Sequence, residues 1–186
     1  MEYSYIKKVY YDSIYNLKNI EENIQMVVLS MIGFFLPFVL GHPQILVGVI
    51  VNAMLIVGAT YIKGNKILPL ILLPSIGVLT AGVLFGTYTI FLLYLIPFIW
   101  IGNAIYVYVY KHLNIAKHGL KNNALGIGFA SILKAGFLFG ITFVLVQLTV
   151  IPAVFLIAMG VLQLTTALLG GILAVSIVKV REKVTG

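Results

Sequence analysis

Residues 124–148 read ALGIGFASILKAGFLFGITFVLVQL, a run of 25 positions with one charge, Lys134, inside it. An α-helix rises about 1.5 Å per residue, so this run is long enough to cross a hydrocarbon core about 30 Å thick. A lysine at that depth costs at least about 2.5 kcal/mol on the most lenient insertion scale, and the nearest acid along the chain is Glu182. Either the segment is not membrane-buried, or something other than a side-chain carboxylate balances the ammonium.

The rest of the chain decides for the membrane. Of its 186 residues 61% are hydrophobic and only 9% charged, and the mean hydropathy is +1.11, far from the balance of a soluble globular domain. Apolar runs of spanning length fall at 24–41, 44–62, 67–86, 88–110, 124–148 and 151–178. The weakest separations are GTYT at 86–89 and TVIP at 149–152. The expected fold is therefore an all-α integral membrane protein, a six-transmembrane-helix bundle. Its expected parts are an N-terminal helix over 1–23, a membrane domain over 24–178 and a short basic tail over 179–186.

Charge distribution gives an independent check. Lys7, Lys8 and Lys18 precede the first run, Lys63 and Lys66 follow the second, Lys111, Lys117 and Lys121 follow the fourth, and Lys179, Arg181 and Lys183 follow the sixth. Eleven of the 12 cations thus fall on one side of a six-span topology, and the positive-inside rule makes that side cytoplasmic, with both termini there. A plasma-membrane protein with N-in and C-in orientation is expected. The net charge of +7 then belongs at headgroups, with no nucleic-acid partner implied. Lys134 is the one cation that does not sort.

The leading segment, MEYSYIKKVYYDSIYNLKNIEEN, contains acids and lacks the apolar core of a signal peptide. Ile6, Val9, Tyr10, Ile14, Leu17 and Ile20 recur at helical spacing opposite Lys7, Lys8, Asp12 and Lys18. An amphipathic helix lying on the cytoplasmic leaflet, in contact with membrane lipids, is expected.

Catalytic chemistry has little to stand on. The acids, Glu2, Asp12, Glu21, Glu22 and Glu182, all lie outside the runs, and cysteine is absent. Paired aspartates, a His and Glu cluster, a phosphate loop, a dinucleotide fingerprint and a Gly-x-Ser-x-Gly elbow are all missing. The expectation is a protein that is not an enzyme, holds no cofactor or metal, and leaves any ATP hydrolysis to other subunits.

Polar residues within the runs supply the candidates for binding. Folding the last two runs as a hairpin about 149–150 sets Lys134 level with Thr165 and within a turn of Gln163 and Thr166. These accept hydrogen bonds from an ammonium and do not neutralise it. Lys134 either awaits an anion on a small-molecule ligand or is a water-paired lysine tying helices together through Ser131 and backbone carbonyls. Asn52 and Asn103 read more readily as cross-helix donors than as ligand contacts, and Trp100, beside the break at Pro97, as packing. Gly136 and Gly140, Gly82 and Gly86, and the series Ala167, Gly170, Gly171 and Ala174 are expected to mark close helix seams. The first of these, one turn from Lys134, argues that the lysine faces protein.

Six spans in fewer than 190 residues, the external turn LGHPQILVG at 40–48, and the stretches LPSIGVLTAGVLFG at 73–86 and PFIWIGNAIYV at 97–107 together resemble the substrate-binding S components of energy-coupling factor (ECF) transporters. The resemblance is one of layout over residues 24–178. It implies a site near the outer face for a vitamin or similar micronutrient, and association with a transmembrane coupling subunit and cytoplasmic ATPases. Carried onto this chain, it places substrate binding at His42 and Gln44 in the first external loop, Lys134 and Gln147 in the fifth span, and Gln163 and Thr166 in the sixth, with Asn52 nearby. A lysine repels cations, so an anionic or amide-bearing cargo is expected over a bare metal. The family's Ala-x-x-x-Ala coupling step has no counterpart in the first span, IQMVVLSMIGFFLPFVLG, whose small residues are Ser30 and Gly33. The competing expectation is a membrane scaffold or anchor subunit of a larger complex, in which a neighbouring subunit supplies the acid for Lys134.

Overall fold

A computed structural model describes residues 11–114 and 120–185, and the described residues form helices joined by short connections, without strands. In chain order these are α1 (Asn19–Leu40), α2 (Gln44–Tyr61), α3 (Leu68–Ala81), α4 (Leu92–Asn114), α5 (Leu120–Gln147), α6 (Val154–Met159) and α7 (Val161–Thr185). Short 3₁₀ segments at Gly64–Ile67 and Gly86–Phe91 lead into α3 and α4. Six stretches are long and apolar enough to cross a membrane, with α6 and α7 together making the last. The six expected spans are borne out; the separation at 149–152 falls in a connection, and that at 86–89 in the 3₁₀ segment that opens the fourth span. Several limits move, α1 starting at Asn19, α5 at Leu120 and α7 running on to Thr185, and two changes alter the layout. Gly82 takes a left-handed conformation (φ 69°) that glycine adopts at no steric cost, ending α3 at Ala81 well before residue 86. The last span is interrupted at Gly160.

The central helix is α2. Its sequence QILVGVIVNAMLIVGATY is apolar on every side, as a helix enclosed by others must be, and every residue from Asn52 to Tyr61 is buried. It packs against α1, α4 and most extensively α7. The α2–α7 contact is close because Gly170 has no side chain: a Cβ there would stand 2.6 Å from the Val49 carbonyl and 2.7 Å from Asn52 Cβ. Ala167 and Ala174 on the same stripe are fully buried. The seam expected along α7 is therefore real. The other two are not seams within this chain, since Gly82, Gly86, Gly136 and Gly140 have nothing within 4 Å of where a Cβ would be. Gly136 and Gly140 lie on the outward face of α5 with Ile132, Phe139 and Phe143. Large apolar side chains are exposed in this way on every long helix, the surface that lipid, and not water, accepts.

Cation-bearing segments converge at one end of the bundle. Glu22, almost fully buried, accepts from the Lys63 backbone N–H at 2.6 Å and pairs with Lys66 Nζ at 3.1 Å. Arg181 donates to Gln25 at 2.8 Å and lies 4.5 Å from the Tyr61 ring centroid. The Glu182 carboxylate, bonded to the Tyr15 hydroxyl, raises that phenol to about 12. Lys111, expected in a loop, is instead enclosed in the last turn of α4, where its ammonium donates to the Ile62 carbonyl just past α2 at 2.8 Å and to the Asp12 carbonyl at 3.1 Å. It caps a helix C-terminus, where orphan carbonyls and the dipole both favour a cation. Of the expected amphipathic helix, residues 1–10 lie outside the described residues. Residues 12–18 are not helical, and Asn19 onward belongs to α1.

Candidate functional site

Lys134 is 2% exposed and points into the bundle from α5. Its ammonium donates to Asn52 Oδ1 at 2.6 Å and lies 5.2 Å from the centroid of the Tyr106 ring. Among the described residues no carboxylate approaches it. The Asn52 carboxamide is held from its other side. Its Nδ2 donates to the Gly48 carbonyl at 2.9 Å and to Thr166 Oγ1 at 3.2 Å, and the Thr166 hydroxyl donates in turn to the Leu162 carbonyl at 2.7 Å. These bonds fix the amide so that its oxygen faces the lysine. Three helices, α5, α2 and α7, are joined by one run of donors pointing the same way.

This relay works because the helices approach closely. A Cβ on Gly48 would meet Thr166 Cγ2 at 2.8 Å, so the glycine makes room for the threonine beside Asn52. Tyr106, fully buried, brings its ring under the lysine while its hydroxyl donates to the Ala167 carbonyl at 2.6 Å. A cation on an aromatic face gains about 0.5–2 kcal/mol, the upper figure when desolvated. That attraction and one amide acceptor do not equal a counter-ion, and an ammonium has three donors.

A cavity of about 100 Å³ adjoins the lysine, against roughly 10–15 Å³ needed for one water. Lys134, Asn52, Gln163, Gln44, Asn103 and Ser75 contribute its polar lining, and Val47, Val78, Leu92 and Met159 are among its apolar walls. The wall formed by α3 and α4 is tied in the turns around Pro74. The carbonyls of Ile71 and Leu72 accept from Asn103 Nδ2 at 3.0 Å and Trp100 Nε1 at 3.2 Å, and the indole also donates to Ser75 Oγ at 2.8 Å. Pro74 has no N–H for the Leu70 carbonyl, and in the adjoining turn side chains of α4 bond the next two carbonyls.

Of the residues singled out in the sequence, the structure brings Lys134, Asn52, Gln44 and Gln163 around this cavity, with Thr166 one bond behind Asn52. It leaves out Gln147, exposed at the end of α5, and His42, exposed between α1 and α2. Thr165, expected level with the lysine, is exposed and bonds only to its own helix. Ser131 is buried but gives its hydroxyl no hydrogen-bond partner, so it does not hold Lys134. Tyr106 and Ser75 were not anticipated. Tyr106 stands one turn after Asn103 in a span, a spacing that puts both on one helix face. No His, Cys, Asp and Glu cluster able to hold a metal exists among the described residues. No protein-family model, curated protein or solved structure matches this chain.

Proposed function

We propose that this protein is a membrane-embedded substrate-binding subunit of an ECF-type importer, capturing a small anionic or amide-bearing micronutrient in the cavity beside Lys134. In this reading the cation-bearing end is cytoplasmic, the subunit itself is non-catalytic, and ATP is hydrolysed by partner subunits reached through a transmembrane coupling protein. The observation that carries it is the Lys134 ammonium, enclosed between helices with an amide oxygen and an aromatic face for partners, at the edge of a cavity lined by further amides. An intramembrane ionisable group is expensive to keep, and a ligand carboxylate or phosphate supplies the missing charge. In this reading Gln163, Gln44 and Asn103, which line the same cavity, hydrogen-bond its polar periphery.

The test is purification in lipid nanodiscs followed by native mass spectrometry of bound small molecules and bound proteins. A stoichiometric anion, lost in Lys134→Met, supports the reading; its absence with Lys134 intact counts against it.

One observation favours the scaffold alternative. Ser30 and Gly33, the small residues of the first span, are buried within the chain, Gly33 against Pro74 and Met54, and so do not offer a coupling surface. The outward small-residue step is Gly136 and Gly140 on α5. Constitutive co-purification with membrane subunits lacking ATPase activity, without bound small molecule, would establish that alternative.

A further inference from the structure

The cavity beside Lys134 is not isolated. A second depression of about 390 Å³ lies at the end of the bundle where α2 begins, with largely apolar walls that include Val83, Tyr88, Val154, Ile157 and Leu162. It is opposite the cation-bearing end, since α2 runs from Gln44 here to Tyr61 there. Both spaces are lined by Gln44, Leu84 and Phe85, so these three side chains form the partition between them. Two of the three, Leu84 and Phe85, lie in the non-helical connection between Gly82 and Gly86, both at positive φ (69° and 53°). Phe85 stacks on Phe155 of α6 at 5.2 Å, completing that wall.

Polarity differs sharply across the partition. On one side stand an ammonium and several amides. On the other, His42 at the rim and Gln44 are the main polar side chains. Asn52, which holds Lys134, is eight residues along α2 from Gln44, or about 12 Å.

We infer that the inner cavity and the outer groove are two halves of one site for an amphiphilic monocarboxylate, its carboxylate at Lys134 and its apolar chain or ring passing Leu84 and Phe85 into the groove. This rests on the proposed role of Lys134 as an anion site and extends it to the rest of the ligand. Displacement of water by apolar groups along the groove supplies affinity, while the carboxylate supplies orientation. Bare phosphate or a doubly charged acid uses only the inner half.

The experiment is a titration of the purified chain in nanodiscs with straight-chain carboxylates from acetate to octanoate and with the matching primary alcohols. Trp100, the one tryptophan, bonds to a lining residue and serves as the fluorescent reporter. The Lys134-dependent signal is the difference between wild type and Lys134→Met, which removes simple partition into lipid. The expected result is affinity rising two- to fourfold per methylene beyond butanoate, with the alcohols at least tenfold weaker. The double variant Val83→Phe and Ile157→Phe, at two exposed groove positions, flattens that rise and keeps acetate binding. Lys134-dependent binding that is equally strong at every chain length overturns the two-part site and leaves the anion site standing. No Lys134-dependent binding of any carboxylate overturns both.

Discussion

Asn52 and Lys134 illustrate why two buried polar residues need not contribute alike. Removing Asn52 leaves the ammonium with an aromatic face and no hydrogen bond within the bundle, and a lost partner of a buried charged group costs about 1–3 kcal/mol or more. Asn52→Leu should therefore destabilise the ligand-free protein by at least that amount in thermal or SDS-induced unfolding. Lys134→Met removes the buried charge but leaves the Asn52 amide oxygen without its donor, a neutral acceptor facing the cavity, so it should cost less ligand-free stability than Asn52→Leu, which leaves a charge unpaired. The double variant should be more stable than Asn52→Leu alone, because the two effects are coupled through one contact. Lys111 is the control. Its ammonium satisfies two backbone carbonyls, and Lys111→Met should cost about 1.5–3 kcal/mol in the same unfolding measurement. Equal responses from the two lysines would contradict this account. Burial alone did not distinguish them in the sequence: Lys134 stood out because it broke the charge sorting, whereas Lys111, at the edge of its span, looked like any headgroup lysine.

At the level of helices, glycines divide by what faces them. Gly170 lies against the backbone of α2, and Gly170→Leu should separate α2 from α7, breaking the contact between Asn52 and Thr166. A loss of about 1–3 kcal/mol is expected, the usual cost of overpacking. Gly136→Ala and Gly140→Ala meet open space and should stabilise α5 by roughly 0.5–1 kcal/mol each, because alanine restricts the unfolded chain. If either alanine instead dissociates a co-purifying subunit without loss of stability, α5 is a partner surface. The Gly-x-x-x-Gly pattern was visible along the sequence, but its direction was not. A period of four residues says that two glycines share a face and is silent about whether that face looks inward. Composition settled the corresponding question for α2, where apolar residues surround the helix.

For the molecule as a whole, orientation is open to direct measurement. The chain has no cysteine, so single replacements need no cysteine-free background. Thr149→Cys should react with a membrane-impermeant maleimide in intact cells, and Lys66→Cys only after lysis; the reverse pattern would invert the proposed topology. The number of spans and their approximate limits were legible in hydropathy and charge because lipid imposes both. The neighbours of each helix were not. A hairpin about 149–150 took the last two spans to be straight and adjacent; they are adjacent, with Ile127 of α5 against Gly171 of α7, but the last one is not straight. The actual connection runs through α6 with a break at Gly160, Thr166 and not Thr165 faces inward, and Asn52 of α2 stands between Lys134 and Thr166 in the hydrogen-bond relay. Gln147 and His42 came from family layout alone. A pairing between residues 52 and 134 crosses 82 positions and leaves no local signature.

The direction of the hydrogen bonds through Asn52 sets a condition on anything that draws Lys134 away. With both amide hydrogens committed to Gly48 and Thr166, the carboxamide has no freedom to turn over, so a departing ammonium leaves behind an acceptor with its lone pairs toward the cavity. A ligand that draws the ammonium off Asn52 trades partners, whereas a carboxylate taken by the two donors the lysine has to spare is a simple addition. A molecule bringing an acceptor for the lysine together with a donor for Asn52 completes the trade. One bringing the acceptor alone, as a monocarboxylate does, binds with the ammonium still on Asn52, so the same side chain holds the lysine in place for it.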